Sequence, residues 1–190
     1  MNRLLCLVVA ASSIIATGVS YAHADQGSAV DPSNFCVENP QCSEPMKNIA
    51  KSYGEGFATF TQKNVSAFSG KCFHMDPIYD PDHAHFGAFA FESQPSKILI
   101  NGLFGFFYEG DPFAGMTVGE TIAAIREGSA QASEGVLRPD HVELAFKTSA
   151  TDIRYWFRSD KAQKNLFVIG KQVSANSSSA KLVFCKLLAH

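Results

Sequence analysis

The sequence predicts an α+β fold with a single antiparallel, curled sheet of about seven strands and two helices. The expected order is helix, three strands, helix, four strands. One stretch places apolar residues at helical spacing and a second opens with a capping box, whereas the others alternate apolar and polar residues or are short apolar runs between turn residues. Short connections between consecutive strands favour antiparallel pairing. The alternation in the later strands predicts that one face of the sheet meets water.

The first 24 residues have the features of a signal peptide. Arg3 precedes an apolar run over Leu4–Ala16, and Ala22-His23-Ala24 places small residues at the two positions that a signal peptidase reads. The run is too short for a membrane-spanning helix, which needs about 20 apolar residues. We therefore expect cleavage after Ala24 and export to the periplasm or beyond the cell, with no membrane span in the mature chain.

Four cysteines remain once this leader is removed: Cys36, Cys42, Cys72 and Cys185. An even number in an oxidising compartment indicates two disulfides. The Cys36–Cys42 pairing is favoured because the short loop between them contains Asn-Pro, which suits a turn. Cys72–Cys185 would then join the first strand to the last. A thiolate metal site is the less favoured alternative, since the sequence has no Cys-x-x-Cys spacing.

The mature chain is expected to begin with an irregular arm over residues 25–45, followed by a single α+β domain over residues 46–190. Ser43 can cap the first helix, and Pro45 is tolerated in its first turn. The core-facing side of this helix is predicted from apolar residues at helical spacing: Met46, Ile49, Ala50, Tyr53, Phe57 and Phe60. Three strands are then expected, over Gly70–Met75, His83–Glu92 and Lys97–Tyr108.

The second helix is predicted to begin at Thr117, because Thr117-Val118-Gly119-Glu120 matches a capping box, and to end at Gly135. Polar hairpin loops are expected over residues 159–164 and 174–179. Four strands complete the chain, over Val142–Lys147, Ile153–Arg158, Leu166–Ile169 and Leu182–Leu188.

One segment, from His74 to His85, concentrates three histidines and three aspartates. If Asp76 paired with His83 across a hairpin, His74 would face His85 with about 5 Å between their Cβ atoms. Three imidazoles together with the carboxylate of Asp76 or Asp82 would suit Zn²⁺ or another borderline divalent ion. A one-residue slip would move His74 to the other face and remove the site. The alternative is a polar hairpin whose histidines lie at the edge of the core.

A second candidate site is the presumed outer face of one late strand, which carries Arg154, Trp156 and Arg158. The simpler interpretation is solvated charge beside a packed tryptophan. The other is a partner-contact patch, because Trp and Arg are favoured at protein interfaces.

Composition and motifs exclude several classes of function. With 16 Lys+Arg against 18 Asp+Glu, the chain lacks the basic footprint of a nucleic-acid-binding protein. It has no Gly-x-Ser-x-Gly, His-Glu-x-x-His, phosphate-loop or dinucleotide motif, so an enzyme is disfavoured. We expect an exported, disulfide-stabilised, non-enzymatic domain that binds a partner protein or a small apolar ligand. If its sheet closed, a cavity could open at one end. The alternative is a divalent-metal-binding protein or metal-dependent hydrolase that uses His74, His83 and His85.

Overall fold

Eight antiparallel strands follow one another around a closed barrel, in which the last strand pairs with the first. This architecture comes from a computed structural model that describes residues 31–79, 87–104, 112–147, 151–174 and 177–188. The sheet is therefore antiparallel as predicted, but the curled sheet of seven strands is wrong, because the sheet closes and has eight strands. The strands are Ser69–His74 (β1), Gly87–Gln94 (β2), Lys97–Phe104 (β3), Ser133–Leu137 (β4), Val142–Lys147 (β5), Thr151–Ser159 (β6), Asn165–Ser174 (β7) and Ser177–Leu187 (β8).

The described residues contain three α-helices: Phe35–Glu38 (α1), Glu44–Gly54 (α2) and Val118–Gly128 (α3). Short 3-10 turns span Pro32–Asn34 and Val65–Ala67. The predicted start of α2 is confirmed, since the Ser43 side chain accepts a hydrogen bond from the backbone N–H of Met46 (3.4 Å). None of the helices in these ranges is long and apolar enough to cross a bilayer.

Two helix ends differ from the prediction. Helix α2 stops at Gly54, and Gly56 then adopts a positive φ of 104°, which turns the following residues away from the helix axis. Helix α3 begins in the predicted capping box of Thr117 and Glu120 but ends at Gly128 rather than Gly135. Gly135 lies in β4, where an added Cβ would come within 2.9 Å of a methyl group of Val142. This glycine allows close packing inside the barrel and does not terminate the helix.

The remaining strand boundaries differ mainly at one end of the barrel. Strands β7 and β8 are longer than predicted, and the expected hairpin loop over residues 174–179 is largely strand, with Ser174 paired to Ser177. Serine has a low strand propensity, but pairing along a continuous ladder overrides it. The parts of the predicted strands within residues 80–86 and 105–111 lie outside the described residues.

The main core fills the barrel interior. Cys72 and Cys185 lie directly opposite each other across the β1–β8 pair, form a disulfide and have Cα atoms 3.9 Å apart. The other disulfide, Cys36–Cys42, joins α1 to the residue before the Ser43 cap. These are the two pairs that the sequence favoured. The largest fully buried side chains of the interior are Phe68, Phe89, Phe91, Ile98, Leu166, Val65 and Val142.

Two smaller apolar clusters lie outside the barrel, one beneath each long helix. Helix α3 packs Ile125 against Ala88 and Ala90, whose small side chains let the helix approach β2 closely. Helix α2 covers what we call the outer cluster, formed by Cys42, Met46, Ile49, Tyr53, Phe73, Tyr79, Phe167, Ile169 and Phe184. Several strands are therefore apolar on both faces.

One end of the barrel is closed by the chain that connects α2 to β1. The backbone N–H of Ala58 donates to Ser159 O (3.0 Å), and that of Phe60 donates to Pro139 O (2.8 Å). The side chains of Phe60 and Phe68 are buried there in ring contact, with centroids 4.5 Å apart. Strands β1, β3, β5 and β7 run away from this closed end, and we call the opposite end the mouth.

Candidate functional site

Along strands β5, β6 and β7, the burial of inward-facing side chains decreases from the closed end to the mouth. Strand β5 shows this most simply, because its alternate residues Val142, Leu144 and Phe146 are 0%, 8% and 44% exposed. On β8, Cys185 is buried, whereas Val183 toward the mouth and Leu187 toward the closed end are both partly buried. The interior is thus packed at the closed end and accessible toward the mouth.

We define the mouth lining as five inward-facing side chains: Phe146, Ile153, Tyr155, Val168 and Val183. All five are partly or largely exposed, and three of them pack against the interior core with their buried portions. Four are purely apolar, and Tyr155 contributes an aromatic ring with one hydroxyl group. On β7 the residue paired with Tyr155 is Gly170, which has no side chain to occupy the space beside the ring. We call the inner surface that these five side chains form at the mouth the recess, and His74, which pairs with Val183, lies beside it.

The barrel wall is lower beside β4 than elsewhere. Strand β4 pairs with β5 only at Val136 and Leu137. Within the described residues, the stretch of β5 from Leu144 to Lys147 therefore has no strand partner on its β4 side. Phe146, the most exposed member of the mouth lining, belongs to this stretch. The recess is thus bounded by a short wall on one side.

The predicted metal-binding residues are only partly covered by the structure. His74 is the last residue of β1, is exposed, and pairs with Val183. Asp76 lies just beyond, where its Oδ1 accepts a hydrogen bond from the backbone N–H of Ile78 (3.0 Å). Asp82, His83 and His85 lie outside the described residues. Among the residues described, no group of three or more His, Cys, Asp or Glu could hold a metal ion.

The β1–β2 register bears on that metal prediction. The observed pairs run from Ser69 with Ala90 to Cys72 with Gly87. This register has the same offset as the predicted pairing of Asp76 with His83, and not that of the one-residue slip. The convergence of the three imidazoles remains a prediction.

The predicted contact residues of β6 all lie on the outer face of the barrel, but their surroundings differ. Arg154 is exposed and lies near two carboxylates, with 3.5 Å to Glu143 and 3.3 Å to Asp152. Trp156 is partly buried and packs against the outer cluster beneath α2. The row therefore does not form one continuous exposed patch.

Arg158 connects three elements within the protein. Its Nη1 donates to the Tyr53 hydroxyl of α2 (3.2 Å), and its Nη2 donates to Asp140 (3.3 Å) in the turn between β4 and β5. Its guanidinium group also lies over the Phe57 ring, 5.0 Å from the centroid. Arg158 thus holds α2 against the barrel.

The same turn contains an aspartate–histidine pair. His141 Nδ1 lies 2.8 Å from Asp140 Oδ1. Burial acts to raise the pKa of the Asp140 carboxyl, but the hydrogen bond and charge of His141, with the charge of Arg158, outweigh it and hold this pKa below its usual value. The pair therefore favours an ionised carboxylate that binds Arg158.

One buried acid was not singled out by the sequence. Asp160 is 1% exposed in the β6–β7 turn. Its Oδ1 accepts from the backbone N–H groups of Lys164 (2.8 Å) and Asn165 (3.1 Å), and its Oδ2 accepts from the Asn165 side chain (2.7 Å). The carboxylate is fully used in shaping the turn, so we assign it a structural role.

The mouth lining was also not predicted as a site. Alternation placed Ile153, Tyr155 and Phe157 on one apolar face, yet no local signal distinguishes the packed position of Phe157 from the accessible ones. No protein-family model, curated protein or solved structure matches the chain. Its function is therefore inferred from the geometry of the described residues.

Proposed function

We propose that this protein is an exported, disulfide-stabilised binding protein that holds a small apolar molecule in the mouth of its barrel. The observation that carries the proposal is the gradient of exposure along the interior, from fully buried Val142 to Phe146 at 44%. An apolar side chain that faces inward and still meets solvent gains free energy when a ligand covers it, about 2.5 kcal/mol for each 100 Å² removed from water.

The dimensions of the fold support one small ligand. The interior of an eight-stranded barrel is just wide enough to be filled by side chains or to hold a single small molecule. Here the closed end is already filled by Phe60, Phe68 and their neighbours, so the ligand would occupy only the space toward the mouth. We therefore expect a compact ligand rather than a long-chain lipid buried along its whole length.

The lining is mainly apolar, which favours the binding of an apolar ligand. Its five side chains include one hydrogen-bonding group, the hydroxyl of Tyr155, and His74, which pairs with Val183, adds an imidazole beside them. Export is supported by the leader-like first 24 residues and by the two disulfides, which persist in oxidising compartments.

Binding can be tested with the neutral apolar dye N-phenyl-1-naphthylamine, which fluoresces when it leaves water. We expect saturable binding with about one dye per chain. Val168→Phe should fill the recess and reduce the affinity at least tenfold. Val136→Phe, the same change on the exposed outer face of β4, should leave the affinity unchanged.

Either of two results would contradict the proposal: no saturable binding to the folded wild-type protein, or equal effects of the two Val→Phe changes. Circular dichroism checks that both variants fold. Val183→Phe provides a second filling variant if Val168→Phe does not fold, because Val183 pairs with Val168 in the same row of the barrel.

A further inference from the structure

We infer that the closed end of the barrel docks on the surface of an anionic lipid bilayer. Five cationic side chains are exposed at this end, although the chain as a whole has a formal net charge of −2. We call this group the basic end: Lys63, Arg138, Lys161, Lys164 and Lys186. The inference does not depend on the proposed function, because the basic end lies opposite the mouth.

Backbone hydrogen bonds bring the lysines of β8 and of the β6–β7 turn to the closed end. The backbone N–H of Lys161 donates to Gly56 O (2.9 Å), which lies in the chain that closes the barrel. The backbone O of Lys164 accepts from the N–H of Leu187 (2.9 Å), the residue that follows Lys186. These three lysines therefore lie on chain segments that are bonded to one another.

The other two cations reach the same end through a second contact. Arg138 is the first residue of the β4–β5 turn, and its neighbour Pro139 accepts the hydrogen bond from Phe60 (2.8 Å). Lys63 lies three residues after Phe60, in the turn that precedes the 3-10 helix over Val65–Ala67. Four separate segments thus present cations at one end of the barrel.

The carboxylates near this end are used within the fold and do not neutralise the cations. Asp160 is 1% exposed, and both of its oxygens accept hydrogen bonds inside the β6–β7 turn. Asp140 binds Arg158, and Glu55 lies 4.0 Å from Lys51 of α2. Among the residues described, no carboxylate lies within 4.0 Å of a cation of the basic end. The outward charge of this end is therefore positive.

The titration of Lys186 is consistent with this accumulation of positive charge. Burial lowers the pKa of Lys186, the charge of Asp160 acts to raise it, and the charge of Lys164 lowers it further. Ammonium groups that lie close together repel each other, and negative charges that approach from outside relieve this repulsion. An anionic surface therefore stabilises the basic end.

The composition of the basic end favours a lipid surface over a protein partner. Four of its five cations are lysines, and lysine is depleted in the cores of protein interfaces. The large exposed apolar side chains of the described residues all lie outside these turns, so they provide no apolar anchor for a protein partner there. Anionic lipids diffuse within the bilayer, so their phosphates can gather around lysines that lie on separate turns.

The test is co-sedimentation of the processed chain, which begins at Asp25, with vesicles of equimolar phosphatidylcholine and phosphatidylglycerol. Each lysine near an anionic surface strengthens binding about fivefold, so Lys161→Gln/Lys164→Gln should weaken it about 30-fold. Lys47→Gln/Lys171→Gln makes the same change of net charge at exposed positions, in the first turn of α2 and in the mouth half of β7. This control should bind like the wild-type protein.

Wild-type protein should not sediment with vesicles of phosphatidylcholine alone, and added NaCl should weaken its binding to the mixed vesicles. Three results would overturn the inference: no binding to the mixed vesicles, equal losses in the two double variants, or displacement from the vesicles by polyglutamate at the same concentration of charge. The last result would assign the basic end to an acidic protein. Circular dichroism checks folding, and Lys63→Gln/Arg138→Gln provides a second variant if the first does not fold.

Discussion

Removing the Cys72–Cys185 disulfide is expected to destabilise the protein much more than removing Cys36–Cys42. The two bonds span sequence separations of 113 and 6 residues. In the chain-entropy model, a cross-link restricts the unfolded chain more when it closes a longer loop. This gives about 5 kcal/mol for the long span and about 2 kcal/mol for the short one.

The positions of the two disulfides in the fold also predict that loss of Cys72–Cys185 is the more destabilising change. Cys72 and Cys185 are almost fully buried and join β1 to β8, the pair that closes the barrel. The Cys36–Cys42 bond lies outside the barrel, at the start of the segment that leads into α2. Loss of the first bond therefore weakens the closure of the main core, whereas loss of the second weakens only the attachment of the N-terminal segment.

The two double Cys→Ala variants can be compared by equilibrium urea unfolding. The one tryptophan of the chain, Trp156, packs against the outer cluster and reports on unfolding by its fluorescence. We expect the barrel pair to cost about 2 to 3 kcal/mol more than the short-loop pair. A loss of about 5 kcal/mol is a large share of a typical domain's free energy of unfolding. An osmolyte that stabilises the folded state can therefore be added so that both variants are folded before urea is added. Equal losses, or a larger loss for the short loop, would refute the reasoning.

Three further predictions concern single residues. Gly70→Ala should destabilise the barrel by about 1 to 3 kcal/mol, because the added Cβ would lie 2.5 Å from a backbone carbonyl of β8. Gly119→Ala in α3 is the control, because there the added Cβ meets none of the described atoms within 4 Å. This change should be neutral or slightly stabilising in the same urea assay. Equal changes in stability for the two Gly→Ala variants would contradict the close approach at Gly70. The lowered pKa of Asp140 means that its stabilising contribution is complete above the ordinary carboxyl pKa and is lost as the pH falls through the folded-state value. Asp140→Asn should therefore flatten the acid side of a plot of stability against pH, and an unchanged slope would argue against this pairing. If the predicted histidine set binds Zn²⁺, the ion should raise the melting temperature of wild-type protein and not of His74→Ala, whereas no shift in wild-type protein would remove the metal hypothesis.

The features that the sequence predicted well have local causes. Ser43 and Thr117 were recognisable as helix caps because capping depends on residues within one turn of the helix. The short Cys36–Cys42 loop was likewise readable from a seven-residue stretch. Strand β5 was placed correctly because its apolar and polar residues alternate without interruption.

Closure of the barrel could not be predicted in the same way, because it depends on the pairing of β1 with β8, in which Cys72 and Cys185 are 113 residues apart in sequence. One-sided alternation is equally compatible with an open sheet covered by a helix. The outer cluster weakened the signal further, since Phe73, Phe167 and Phe184 make their strands apolar on the outside too. Strand β4 was missed because Gly135 resembles a helix terminator in sequence, whereas its actual role is visible only from the side chains it faces.

The outer face of β6 shows how one correct sequence pattern can contain several roles. Alternation placed Arg154, Trp156 and Arg158 on the same face, and the structure has all three outside the barrel. Helix α2 then returns over part of this face, so that Arg158 binds Tyr53 and Asp140 within the protein while Arg154 stays exposed near Glu143 and Asp152. The alternation of apolar and polar residues predicts which face of the sheet a residue lies on. Whether that residue is exposed to a partner protein depends on which other element of the fold covers that face. The same limit applies inside the barrel, where Tyr155 and Phe157 share a face and only their distance from the closed end separates a recess from a core.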